Sequence, residues 1–433
     1  MDHNASILII GSGTFGLSTA YHLAKRGYTN ITAIDKHPCP SLDSAGNDLN
    51  KIIRTEYDEP LYAEMALEAM EAWREPLFDG IFHETGWIVT TCGEPKAAAH
   101  LRQSYQNLIE KHGASGIEMV ETPEDIIRHV PQLKDTKTLS NWKGLWNQHA
   151  GWAHASKAME KVASEAQKLG VTFVSGPDGE MVSLETTTSP NKITGIKTAS
   201  GKIWTASHYI LCTGAASPAL LPELSPQLWS KCWTAAHISL TPSELSQFQN
   251  MPVVDNHELG FFFEPDPETS LLKICNATPG YQNKVGSYNG VPYSIPHYLS
   301  SHPDEGIPTE ALAAINNFID NVIPQFSGRP LVGARYCWCT DTPDQHFLLT
   351  PHPKYEGSQL ILATGDSGHA FKFLPTIGAY IADCLEGKPN GNRDVWGWRE
   401  RGEWKADPTR PGDVVKDLRD VEMGMGMIEG SRG

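Results

Sequence analysis

The run Ile7-Leu8-Ile9-Ile10 is apolar at every position and stops at Gly11. A short, unbroken apolar stretch bounded by a turn residue reads as a strand buried on both faces. Residues 7–35 continue as a glycine turn, a helix and a second strand that closes on Asp35. Residues 61–74 have helical periodicity, with Leu61, Met65, Leu67 and Trp73 spread over an apolar face. Short β-like pieces at 86–91 and a helical stretch at 96–112 follow. The block 151–214 predicts a helix at 155–169, a strand at 170–176, a hairpin near 181–206 and a strand-like run at 208–217. Between 221 and 332 the pattern changes to alternating strands, such as 231–240 and 260–264, with a helix at 309–323. Strand and loop return at 360–368, before a helix at about 375–386.

Gly11, Gly13 and Gly16 give the spacing G-x-G-x-x-G directly after the first strand. Gly11 allows a tight turn, Gly13 lets backbone approach a pyrophosphate, and Gly16 lets the helix lie close on the sheet with its N–H groups aimed at the anion. Asp35 stands where a carboxylate accepts bonds from a ribose 2′-hydroxyl. That carboxylate disfavours a 2′-phosphate, so the ligand is NAD or FAD.

The order of elements predicts an α/β fold: a Rossmann-type dinucleotide-binding domain interleaved with a sheet-rich α+β substrate domain. The dinucleotide-binding pieces are 1–85, 151–220 and 333–391, and the substrate-domain pieces are 86–150 and 221–332. A tail, 392–433, is rich in Gly, Trp and charge, and its GMGM run at 424–427 is expected to be poorly ordered.

Bulk properties narrow the partners. A net charge of −16 argues against nucleic acid or an anionic membrane surface. No stretch approaches the ~20 apolar residues of a membrane helix, and the run from Ile7 belongs to a strand rather than a signal peptide. The 8 scattered cysteines fit reduced thiols inside a cell better than a disulfide scaffold. Cys337 and Cys339 are too close for ordinary zinc-knuckle spacing, so no metal is expected.

Five ordered motifs change "dinucleotide" into "flavin": GSGTFG, AGNDLNKIIR (45–54), LKIC (272–275), RYCWCTDTPD (335–344) and GDSGHAFKF (365–373). Over residues 6–390 the chain resembles the monomeric sarcosine oxidase and fructosyl amino acid oxidase (amadoriase) group of flavoprotein amine oxidases. The resemblance implies FAD bonded covalently through the sulfur of Cys337 to the flavin 8α-methyl. Cys339, two residues away on the same strand face, competes on spacing alone; the group's pattern favours Cys337. It also implies that Lys273 promotes the reaction with O2, since a fixed cation stabilises superoxide in a dry site. The competing reading of Lys273 is an edge-strand lysine reaching solvent.

Lys372 matches the group's carboxylate-binding lysine, and Arg54 the arginine that sarcosine oxidases use for the same carboxylate. Two such cations suit an α-amino acid substrate. For Arg54 the bland alternative is a surface salt bridge with Glu56 or Asp58. The FAD-binding set expected from the motifs and the resemblance is Gly11, Gly13, Thr14, Phe15, Gly16, Asp35, Lys36, Ser44, Asn50, Lys51, Val174, Gly214, Asp366, Gly368, Phe371 and Lys372. His346 and His369 read as hydrogen-bonding residues of the flavin site.

One departure steers the substrate. After Lys273 this chain reads Asn276-Ala277-Thr278-Pro279-Gly280. Amadoriases carry a substrate-contacting acid in that run, and sarcosine oxidases a histidine where Ala277 stands. Both deglycation and simple sarcosine oxidation are thereby disfavoured. The expected activity is oxidation of a secondary amine of an amino acid, of saccharopine, pipecolate or N-alkyl type. Hydride passes to flavin, the imine is hydrolysed, and O2 reoxidises the flavin to give H2O2. The alternatives are a deglycating oxidase, or an amine dehydrogenase with another electron acceptor. A monomer acting on a small amino acid is implied. The chain ends Ser431-Arg432-Gly433 rather than in a peroxisomal Ser-Lys-Leu, so a cytoplasmic location is expected.

Overall fold

A computed structural model describes residues 1–188, 191–388, 393–400 and 415–425. Its first sheet has the strand order Leu348–Pro351, Leu360–Thr364, His208–Leu211, Ile7–Ile10, Ile31–Ile34, Thr172–Val174. All neighbours pair in parallel except Leu348–Pro351, which runs antiparallel at one edge. Apolar side chains cover both faces, because helices Thr14–Lys25 and Ile377–Leu385 pack on one and the paired strands Met181–Thr188 and Asn191–Thr198 with the turn near Leu221–Leu228 on the other.

The glycine turn works as its spacing predicts. Gly11 has φ +104°, and a Cβ there would sit 2.4 Å from the Cys212 carbonyl oxygen. A Cβ on Gly16 would lie 1.9 Å from the Gly11 carbonyl oxygen, so helix Thr14–Lys25 meets its own turn with no room for a side chain. Gly16→Ala must therefore displace backbone. It is expected to cost about 3 kcal/mol and to lower flavin content, read from the urea midpoint and the flavin-to-protein absorbance ratio.

The second, larger sheet is built around Trp229–Ser239. On one side it pairs antiparallel with Leu271–Asn276, then Gly260–Phe262 and Val253–Asn256. On the other it pairs with Val332–Asp341. Side chains alternate between the faces of such strands. Ala236, Ile238, Leu272, Ile274, Tyr336 and Trp338 point to one face and pack on helix Thr309–Val322 through Ile315, Phe318, Ile319 and Val322. The opposite face carries His237, Lys273, Arg335, Cys337 and Cys339 in register. Lys273 therefore lies on an interior strand, and the edge-strand alternative falls.

Two further expectations change. In helix Pro60–Trp73 the buried face is Tyr62, Ala63, Met65, Ala66, Ala69, Met70 and Trp73, while Leu61 and Leu67 are half-buried. Small alanines let the helix sit close, and that sets its rotation. In the tail, Met423–Met425 forms a strand against Glu305–Pro308, so residues 424 and 425 are ordered by pairing; 426 and 427 lie outside the described residues. Among the described residues no helix is long and apolar enough to cross a membrane.

Candidate active site

The glycine turn, the start of helix Thr14–Lys25 and the end of strand Ile31–Ile34 line a cavity of about 360 Å3. On its wall lie the expected residues Gly11, Gly13, Thr14, Phe15, Asp35, Lys36, Ser44, Lys51, Gly214, Asp366, Gly368 and Phe371. The helix begins with no capping side chain and no acid in its first turn, so its N–H groups and positive end are left for an anion. The Asp35 carboxylate is fixed by Ser12 N–H at 2.8 Å, His37 N–H at 2.9 Å and the Ser41 hydroxyl at 2.7 Å. These features fit a dinucleotide with a free ribose 2′-hydroxyl. Asp366 is half-buried, and its loss of solvent pushes its carboxyl up to about 7.

Four members of the expected set lie off that wall. Gly16 acts through packing, Val174 accepts the Asp35 N–H on the edge strand at 3.1 Å, and Asn50 is fully buried beneath the loop. Lys372 lines a second cavity instead.

This second cavity, about 440 Å3, adjoins the first: Lys51, Cys337, Cys339, Gly368 and Phe371 line both. Asp48, an acid within the AGNDLNKIIR motif that its spacing does not single out, organises the junction. Its Oδ2 meets Lys273 Nζ at 2.5 Å and Lys51 Nζ at 2.8 Å, and its Oδ1 meets Arg335 Nη1 at 3.2 Å. Lys273 also donates to the Asn50 carbonyl at 2.9 Å. Burial opposes its charge, but the three cations led by Arg335 and Lys273 hold Asp48 well below the carboxylate range. Three cations against one carboxylate leave the junction positive. Burial lowers the Lys273 ammonium, with Asp48 resisting.

Cys337 Sγ accepts from Lys51 Nζ at 3.3 Å and lies 4.0 Å from Cys339 Sγ. The Cys339 thiol and the Lys51 ammonium together hold Cys337 well below an ordinary thiol, against its burial. Cys339 moves the other way, raised by that same partner and by burial. The two cysteines share a face yet differ in environment, one beside the Lys51 ammonium and the other not bonded to it.

Opposite this junction stand Arg54 and Lys372. Arg54 donates to the Glu56 carbonyl and lies over the rings of Tyr57 and Trp87, 4.7 and 5.2 Å from their centroids. The Glu56 carboxylate is engaged by Asn147 at 2.6 Å, and Asp58 pairs with His100 at 3.2 Å. Arg54 is thus a cavity residue rather than half of a surface ion pair. Lys372 Nζ donates to the Tyr57 hydroxyl at 2.8 Å and the His369 carbonyl at 2.7 Å. It too lies near the Tyr57 ring, 5.1 Å from the centroid. Burial, with Arg54 adding to it, holds Lys372 well below its usual value.

The two motif histidines support this pair. His369 lies between the Tyr57 hydroxyl, 3.0 Å from Nδ1, and the Gln345 carbonyl, 3.1 Å from Nε2. A carbonyl only accepts, so Nε2 carries the proton and Nδ1 accepts from Tyr57. Burial lowers His369 to about 3, with Lys372 contributing, so the ring is neutral. His346 stacks on Tyr62 at 5.6 Å and lines the same cavity. Tyr57 was missed from sequence; its position three residues after Arg54 is the signal that marks it.

Comparison with known proteins agrees with this geometry. The family model "FAD dependent oxidoreductase" (DAO) matches residues 6–384. The chain is 36% identical to L-saccharopine oxidase of Schizosaccharomyces pombe over 91% of its length and 93% of the relative's. It is 25% identical to a monomeric sarcosine oxidase of a Bacillus species over 88% of this chain and 93% of that one. The structure superposes on fructosamine oxidase (Amadoriase II) of Aspergillus fumigatus with a TM-score of 0.88 and 37% identity, covering 98% of each chain.

Proposed function

Because the chain belongs to the FAD dependent oxidoreductase (DAO) family, we propose that it oxidises the secondary amine of an amino acid, with saccharopine, pipecolate and N-alkyl amino acids as the substrate class. The observation that carries this reading is the pair of adjoining cavities, one with a dinucleotide cradle and one lined by Arg54 and Lys372 together with Lys51 and Cys337. FAD, when bound, supplies the acceptor for a hydride from the carbon next to nitrogen and delivers the electrons to O2.

The chain's own residues do the rest. Arg54 and Lys372 receive the substrate carboxylate, and Tyr57 with neutral His369 keeps Lys372 aimed. That fixes the amine-bearing carbon against the Lys51–Cys337 wall. Cys337, activated by Lys51, is the attachment point for FAD. Lys273, on the substrate side, is the cation for oxygen reduction. Ala277 lines the second cavity and leaves room where a larger residue would fill it. O2 as acceptor, a monomeric state and a cytoplasmic location belong to the same reading.

A peroxide-coupled screen with saccharopine, pipecolate, sarcosine and fructosyl-lysine tests it. Turnover of saccharopine or pipecolate above the other two is expected; flavin reduction without peroxide would instead indicate a dehydrogenase.

The clamp also has a pH signature. Lys372 is lowered in the free site, and a bound carboxylate raises it again. Binding then takes up a proton between the two values. Affinity for a simple carboxylate such as glutarate is expected to be full below the free-site value and to fall about tenfold per pH unit above it. Calorimetric titration across pH checks this, and Lys372→Met should flatten the slope.

A further inference from the structure

The second cavity continues well past Lys273. Its floor is one registered row across five neighbouring strands: Arg335, Ala235, Cys275, Phe261 and Asp255. The strand bearing Asp255 is two steps beyond the strand bearing Lys273, roughly 10 Å at the usual strand spacing. Helix Pro95–His112 closes this far end and brings Ser104 to its wall. Asn107 of the same helix ties it to the Arg54 segment by donating to the Tyr57 and Asp58 carbonyls, each at 2.9 Å.

Two buried groups there have no partner among the described residues. Ser104 Oγ belongs to a residue with 0% exposure and Trp87 Nε1 to one with 3%, and both residues line the cavity. Buried polar groups are nearly always bonded, so orphans on a cavity wall mark where a ligand supplies the partner. Trp Nε1 donates only, which calls for an acceptor oxygen. Asp255, on the same wall, adds a carboxylate, whose two oxygens can take a cation alongside the contact the residue already makes.

We propose that this far end is a specificity subsite for a zwitterionic amino-acid head on the substrate's second substituent. Asp255 receives its ammonium, and Ser104 with Trp87 receives its carboxylate. The subsite deepens, and rests on, the reading of the cavity as a secondary-amine site. A six-bond arm spans about 7 Å extended, and one hydrogen bond completes the roughly 10 Å from above Lys273 to Asp255. Saccharopine has such an arm, because its lysine nitrogen and α-ammonium are six bonds apart.

The test titrates the anaerobic flavoprotein, its flavin already reduced with dithionite so that neither ligand is oxidised, calorimetrically with saccharopine and with N-(5-carboxypentyl)glutamate, the same molecule without the distal ammonium. Wild type is expected to bind saccharopine about 10- to 100-fold more tightly. Asp255→Asn, nearly isosteric, should close that gap. Ser104→Ala should weaken both ligands several-fold, since both keep the carboxylate. Equal wild-type affinities, or equal weakening of both ligands by Asp255→Asn, would overturn the subsite. The heat of binding decides this without turnover. Absence of peroxide from every secondary amine would overturn the oxidase reading and leave the calorimetric result standing.

Discussion

Replacing Lys273 by Met is expected to slow reoxidation of the reduced enzyme by O2 about 10²- to 10³-fold, while anaerobic reduction by substrate changes far less. One-electron reduction of O2 creates an anion, and a fixed cation in a dry site stabilises it strongly because little water competes. Lys273 meets both conditions. It is 2% exposed, lines the second cavity, and is held by Asp48 and the Asn50 carbonyl rather than by solvent. Methionine keeps the length and removes the charge. Asp48 keeps Lys51 and Arg335 as partners, so the substitution leaves no orphaned carboxylate. Stopped-flow measurement of the two half-reactions separates the roles. Equal loss in both would remove Lys273 from oxygen chemistry, and a larger oxidative loss in Lys51→Met would transfer the role to that neighbour.

The parts of this site differ in how far they could be read from the chain. Gly11 and Gly16 are local: the turn, the close approach and the helix start lie within ten residues, so spacing alone specifies them. The face of Leu271–Asn276 was equally legible, because strand alternation puts Lys273 opposite its apolar neighbours. Its counter-ion was not. A buried ammonium requires an anion, but 51 acidic residues compete and Asp48 lies 225 positions away. In helix Pro60–Trp73 the large leucines drew attention to the wrong rotation, since close packing rewards alanine as well as bulk. Val174 and Asn50, expected in the cofactor set from the motifs and the resemblance, do not line the first cavity.

Cys337 and Cys339 are the sharpest case of that limit, and they give the second large effect. Acid precipitation of the wild type should leave the yellow colour in the pellet. Cys337→Ser should give a white pellet and a yellow supernatant, whereas Cys339→Ser should keep the pellet yellow. Alternation puts both sulfurs on one face, so the two-residue spacing cannot choose between them. The choice comes from Lys51, 286 positions from Cys337 in sequence and 3.3 Å away in space. The Lys51 ammonium bonds the Cys337 sulfur directly, which holds Cys337 down while Cys339 is pushed up, so the thiolate sits on Cys337 and the proton on Cys339. Thiolate, not thiol, is the nucleophile that makes a thioether. Serine at 337 lacks an accessible anion at neutral pH, so attachment fails even though the cradle at Gly11 and Asp35 still holds FAD. Serine at 339 still donates to the Cys337 sulfur and slows attachment at most. Lys51→Met, by removing the cation, should delay the appearance of acid-stable colour in newly reconstituted protein while Cys337 remains in place. A yellow pellet from Cys337→Ser together with a white one from Cys339→Ser would move the bond to the second sulfur, and with it the orientation of the ring against Lys273.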